Sequence, residues 1–419
     1  MTFWASRLKF SLMVMLKPGK SGFADKLLLE ENMGSDHAMT RRDFVFATAA
    51  AAAVASLLAL KPLDASAFQE TVSDEQARAL YRRAIVIDGL LPDDFLSVLG
   101  KPEPPEYPLF SQTQLDTVAR SGLTAANLTV WGGTFEELAR NIAQWMRRVE
   151  THPSHLMFIR KHGDVDRAKQ DGKLGLILGL QAPLESGDLT LLESLHGLGV
   201  RIIQLTYDTR TLFGDGCLEP ANAGLSKLGR EMVTRMNELG IAVDLAHCGV
   251  QTTADGIATS SKPVIFSHTG CSEVFRQARN KEDRELRALA DRGGVVGIYL
   301  TPFGLIPTGA GVTEEWLLRH VEHALKVCGA DHVGIGSDVS LVQIEETPEY
   351  LQALKKVIAE IRKTGKTVGA EQEYIPGFNH PRRLESLAIT LARRGHSSAV
   401  IEKVTGNNFY RVLGEIWSS

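Results

Sequence analysis

Residues 240–249 read GIAVDLAHCG, and after a stretch of helical length residues 262–270 read KPVIFSHTG. Two short apolar runs, at 241–246 and 263–267, each end in a histidine. Apolar runs of this length, bounded by Gly and Pro, are the pattern of strands buried on both faces of a parallel sheet. Roughly fifteen residues lie between them, enough for one crossover helix, so the segment reads as a βαβ unit. Parallel neighbours end at the same edge of a sheet, so His247 and His268 emerge side by side at one rim. In folds built this way that rim is where sites form.

The same alternation runs outward in both directions. Strands are expected at 84–88, 122–129, 174–181, 200–207, 295–300 and 332–338, in addition to the two above. Helical periodicity marks 74–83, 135–150, 189–198, 227–239, 282–292, 314–328, 349–364 and 382–394, with a last helical stretch near Ile401 and 409–416. Eight strands separated mostly by helices, over roughly 350 residues, is the arithmetic of a TIM (β/α)8 barrel. A doubly wound open sheet is the alternative, but no Gly-rich phosphate fingerprint opens a helix after the first strand. We therefore expect one barrel domain over 68–419, preceded by an N-terminal extension at 1–67.

In a barrel the residues that finish the strands face a common mouth. In order they are Asp88, Trp131, Gln181, Tyr207, His247, His268, Leu300 and Asp338. Two imidazoles and nearby carboxylates can hold a divalent metal, zinc above all, with an open position for water. Such an ion turns water into a nucleophile near neutral pH. Asp338 is then placed for proton transfer.

Several segments resemble the renal (membrane) dipeptidase family. They are GVRIIQLT at 199–206, MNELGIAVDLAH at 236–247, PVIFSH at 263–268, Arg279-Asn280, GGVV at 293–296, DHVGIGSD at 331–338 and GNNFYRV at 406–412. The resemblance implies a metal-dependent TIM barrel of the amidohydrolase group that hydrolyses dipeptides or related amides with two bridged zinc ions. It assigns His247 and His268 to one zinc site, Arg279 to the substrate carboxylate and Asp338 to the proton. A planar bidentate cation suits the carboxylate role.

The first half departs from the family pattern. The family's first strand ends in His-x-Asp after Asp-Gly, whereas Asp88-Gly89 is followed here by Leu90-Leu91-Pro92-Asp93-Asp94. The bridging glutamate falls on Gln181, and a further histidine falls on Tyr207, whose phenol can donate to a developing oxyanion. The expected occupancy is one zinc on His247 and His268, with Gln181 and Asp88 as weaker donors. Two ions lack ligands, and an empty site is the other outcome.

The remaining features bound the setting. The 419 residues carry 46 basic and 50 acidic side chains, with no basic stripe after the N-terminal region, so neither nucleic acid nor an anionic membrane surface is implied. Residues 40–45 (TRRDFV), the alanine-rich run at 47–60 and the small-x-small Ala65-Ser66-Ala67 make a secretory signal resembling the twin-arginine type. Export to the periplasm follows as an expectation, with no integral membrane domain once the signal is removed and a membrane-anchored chain if it is not. Met39 offers an internal start. Cys217, Cys248, Cys271 and Cys328 show no CxxC spacing, and an oxidising compartment would permit a disulfide among them.

The expected function is hydrolysis of a small peptide or amide, with a homodimer implied by the resemblance alone. The alternative is a dipeptidase-like protein with a degenerate metal site, serving as a tailoring enzyme on a peptide-derived metabolite or as a binding protein.

Overall fold

A computed structural model of the chain describes residues 72–99, 109–183 and 185–418. The chain divides into two units, Met1–Phe68 and Gln69–Ser419, and the expected signal segment lies outside the described residues. Among the described residues no helix is long and apolar enough to cross a membrane.

Nine parallel strands form the sheet of the second unit. They are β1 (Ile87–Leu91), β2 (Ala125–Thr129), β3 (Leu156–Phe158), β4 (Leu174–Leu180) and β5 (Val200–Gln204). Then come β6 (Ala242–Asp244), β7 (Ile265–Thr269), β8 (Val295–Ile298) and β9 (Val333–Ile335). The order β2-β1-β9-β8-β7-β6-β5-β4 is closed by a β2–β4 pairing from Ala125↔Gly175 to Thr129↔Gly179. That is an eight-stranded barrel, as expected. β3 stands outside the closure and pairs with the first residues of β4; being only three residues long, it left no readable period in the sequence.

Local signals set the helices between the strands. The helix Asp74–Arg83 starts at a Ser73/Gln76 capping box, and Phe135–Thr151 at a Thr134/Glu137 box. Lys227–Leu239 stops at Gly240, whose φ of 68° is a left-handed cap ahead of β6. The crossover between the two histidine strands is the helix Val250–Thr259. Gln112–Ser121 and Gly163–Asp171 are helices that the sequence reading had not resolved.

One apolar layer closes the barrel at the end where the strands begin. Ile87, Ala125, Ile177, Ile202, Ala242, Ile265 and Val295, one from each of seven strands, pack with Phe409, Val412, Leu413 and Ile416 of the helix Asn408–Trp417. Each Ile, Val, Leu and Phe side chain among them contributes about 1.5–3 kcal/mol by leaving water. The opposite end is left for the site. After β9 the chain makes a satellite cluster of Ile344, Tyr350, Leu354, Ile358 and Val368, around the helix Pro348–Lys363.

Candidate metal centre and active site

Two aspartates tie strand ends together and so place the chemistry. Asp244 Oδ1 accepts from Ala246 N and Ser267 N, both at 3.0 Å, joining the end of β6 to β7. His247 and His268 follow these two junctions. Asp88 repeats the device between β1 and β9, its Oδ1 accepting from Leu90 N at 3.2 Å and Ser337 N at 2.7 Å. Both carboxyls are raised in pKa, foremost by burial. Asp88 was expected as a weak metal ligand. Its Oδ1 acts as a strand pin while its buried Oδ2 has no hydrogen-bond partner, and beside it the Asp338 N–H donates to Leu90 O at 3.0 Å.

The register of β7 slips between Phe266 and Thr269, which brings the Ser267 carbonyl into the barrel. Gly297 of β8 and Gly336 after β9 face that oxygen, and a Cβ at either position would overlap it. Their missing side chains let β7 bulge inward, and bulges of this kind re-aim side chains beside sites. The outcome is that His247 Nε2 and His268 Nε2 stand 3.0 Å apart.

Each ring is held from behind. His247 Nδ1 is 2.8 Å from Asp208 Oδ1, and His268 Nδ1 is 2.8 Å from Ser267 Oγ. Burial, with the Arg279 charge second, holds both imidazoles well below their usual pKa, so both are neutral. Asp208 is ionised: burial alone would raise it, but the hydrogen bond from His247 and the charge and hydrogen bond of Lys366 outweigh that. An ionised carboxylate only accepts, so His247 carries its proton on Nδ1 and keeps a lone pair on Nε2.

Arg279 sits buried behind the same strand ends, where its Nη1 donates to Ala246 O at 2.5 Å and its Nη2 to His268 O at 2.9 Å. Asp338 adopts φ 54°, a left-handed conformation that Asp tolerates better than most residues. Burial pushes its carboxyl up to about 7, with Arg279 and Lys366 opposing and Asp88 and Asp94 adding to the rise. The Tyr207 ring stacks on His247 at 4.2 Å between centroids, and Trp131 meets Tyr207 edge-on at 5.4 Å. Burial, then the Asp208 charge, raises the Tyr207 phenol, so it stays a donor. Gln181 gives its amide to Thr129 Oγ1 at 2.8 Å.

Among the described residues no three His, Cys, Asp or Glu side chains converge closely enough to hold an ion. The donor set on hand is therefore the two imidazoles. Zinc takes imidazole nitrogen at about 2.0–2.1 Å, so two nitrogens 3.0 Å apart can share one ion. These two imidazoles are the residues that would hold an ion. Asp338 stands outside the ligand set.

All four cysteines are free thiols. Cys248 is buried and accepts from the Thr206 hydroxyl at 3.4 Å. Cys217 lies 3.6 Å from Asp208 Oδ1, and burial pushes both thiols up to about 11.

Residues 75–371 match the family model described as Membrane dipeptidase (peptidase family M19). The chain belongs to the membrane dipeptidase family. This family member is therefore a metal-dependent hydrolase of the dipeptidase type, which favours catalysis over the binding-protein alternative. It is 32% identical over 277 residues to dipeptidase verJ of Clonostachys rogersoniana, covering 64% of this chain and 68% of that one. Dipeptidase tcpJ of Claviceps purpurea (strain 20.1) is 28% identical over 273 residues, and the chain spans 57% of its length. Among solved structures, an amidohydrolase from Pseudomonas aeruginosa is 30% identical with a TM-score of 0.69, over 82% of this chain and 99% of that one. A metallopeptidase from Rhodobacter sphaeroides, liganded with a phosphinate mimic of the dipeptide L-Ala-D-Ala, shares the fold with a TM-score of 0.63 at 19% identity, over 80% of this chain and all of that one.

Asp208 and Lys366 escaped the sequence reading. Asp208 adjoins the strand-end residue Tyr207, so in the sequence only its neighbour's position hints at it. Lys366 lies in the segment after β9, where no periodicity points to the mouth.

Proposed function

We propose that this membrane dipeptidase family member hydrolyses a dipeptide or a closely related small amide, using one zinc ion held by His247 and His268. The single observation that carries this reading is the pair of neutral imidazoles with Nε2 atoms 3.0 Å apart, at the strand ends that Arg279 also bonds. When bound, the ion supplies Lewis acidity to the scissile carbonyl.

The chain's own residues do the rest. Arg279 uses two of its five N–H groups on the Ala246 and His268 carbonyls, leaving others for a substrate carboxylate. Its burial between those carbonyls fixes where that carboxylate sits. Asp338, with a pKa of about 7, is matched to taking a proton and returning it to the leaving amine near neutral pH. The Tyr207 phenol donates to the oxygen that gains charge, and its stack on His247 holds it in place. Twin-arginine export to the periplasm belongs to the same proposal, supported by residues 40–45 and 65–67.

A panel of dipeptides incubated with zinc-loaded full-length protein, with and without a chelator, tests this. Chelator-sensitive release of free amino acids is expected, and Arg279→Lys should raise KM more than it lowers kcat. Zinc-loaded protein that cleaves nothing in the panel would overturn the proposal.

A further inference from the structure

Asp208 divides its two oxygens between partners from distant parts of the chain. Oδ1 accepts a hydrogen bond from His247 Nδ1 at 2.8 Å, while Oδ2 meets Lys366 Nζ at 2.5 Å. Lys366 arrives on a strap that follows the helix Pro348–Lys363. Gly369 N donates to Phe303 O and Ala370 N to Ile306 O, both at 2.9 Å, and the Thr308 hydroxyl donates to Val368 O at 3.0 Å. These bonds fix the strap to the loop after β8. The same ammonium stands 5.3 Å from the centre of the Tyr207 ring, which is itself stacked on His247. His247 thus has a carboxylate on its Nδ1 edge, a phenol ring on one face and, beside both, the lysine that holds the carboxylate.

The consequence is steric as well as electronic. With Oδ2 held, Asp208 cannot turn away from His247, and the imidazole is left with one tautomer and one ring plane. A carboxylate behind a ligating histidine also makes its far nitrogen more basic, and losing such a partner typically costs 10–100-fold in metal affinity. Lys366 by itself would act the other way, since a positive charge near a cation site repels the ion.

We propose that Asp208 and Lys366 form a positioning pair for His247, presenting its Nε2 to the ion it shares with His268. This rests on the reading that the two histidines hold an ion. It adds that a strap outside the barrel strands sets how tightly they do so.

The test is zinc affinity of the full-length protein, measured by competition with a chromophoric chelator. Asp208→Ala should weaken zinc binding about 10–100-fold. Lys366→Met alone should also weaken it, and Lys366→Arg should restore most of the loss. In the Asp208→Ala background, Lys366→Met should instead tighten binding, because only the repulsion is left to remove. A lysine that merely supports the fold would weaken binding in both backgrounds, and that result overturns the pair. A second readout needs no metal: nitrogen NMR of labelled histidine should show His247 protonated on Nδ1, and mixed tautomers in Asp208→Ala. Unchanged zinc affinity and unchanged tautomer in Asp208→Ala would refute the pair while leaving the ion site standing. No zinc binding by the unmutated protein would overturn the ion reading, and the proposal with it.

Discussion

The Nε2 atoms of His247 and His268 face each other at 3.0 Å, while each ring has its Nδ1 engaged by another residue. Neutral imidazoles with converging nitrogens need a proton or an ion between them, since two facing lone pairs repel. Replacing either histidine with alanine should therefore cost more than the 10–100-fold typical of losing an outer partner. Dipeptide hydrolysis by His247→Ala and by His268→Ala should each fall by more than about 100-fold. Circular dichroism should show the fold retained.

Asp338 gives a pH signature. Its carboxyl is pushed up to about 7, against an ordinary 3.8, so the group ionises within the physiological range. Activity should rise through an acidic limb as it becomes a base, at a pH below 7 in the loaded enzyme because the ion's charge favours the carboxylate. Asp338→Asn should lower kcat by about 10²–10⁴-fold and abolish that limb. The stability sign is opposite. A folded-state pKa above the unfolded value means that the native state binds this proton more tightly, so stability falls as pH rises from about 4 to 7. Asp338→Asn should accordingly raise Tm above pH 7, read by calorimetry across a pH series.

Gly336 offers a test of how the site is shaped. A methyl group there would overlap the Ser267 carbonyl and push β7 back out of the barrel. Gly336→Ala should cost at least about 1–3 kcal/mol, as overpacking does. Because β7 carries His268, zinc affinity should fall as well. Thermal melts and chelator competition on one preparation check both effects.

Tyr207→Phe keeps the stack on His247 and removes only the hydroxyl. If the phenol donates to the developing oxyanion, kcat should drop by about 10²–10³-fold with Tm almost unchanged. A Tyr207→Phe enzyme of normal kcat would assign the ring to packing alone.

Much of the barrel was legible because its strands are short, apolar and regularly spaced. All eight closing strands overlap their expected positions, from Ile87–Leu91 to Val333–Ile335. β3 escaped because three residues carry no period, and the plugging of the barrel floor by Phe409 and Val412 depends on distant packing that no local pattern encodes. The histidine pair was legible for the same reason as its strands, since each residue sits at the end of an apolar run. Asp88 shows a limit of such reading: a carboxylate at a strand end looks alike in sequence whether it ligates a metal or, as Oδ1 does here, accepts backbone N–H groups. Asp208 and Lys366 were hidden for a different reason. Their meaning lies in a contact between a strand-end turn and a strap more than a hundred residues onward, which charge and spacing alone do not announce.

The most direct measurement is the metal content of the purified full-length protein, by inductively coupled plasma mass spectrometry. The account predicts close to one equivalent of zinc, lost in both His247→Ala and His268→Ala. Protein that carries no metal and takes up none when zinc is added would contradict it. So would two equivalents that survive the loss of either histidine.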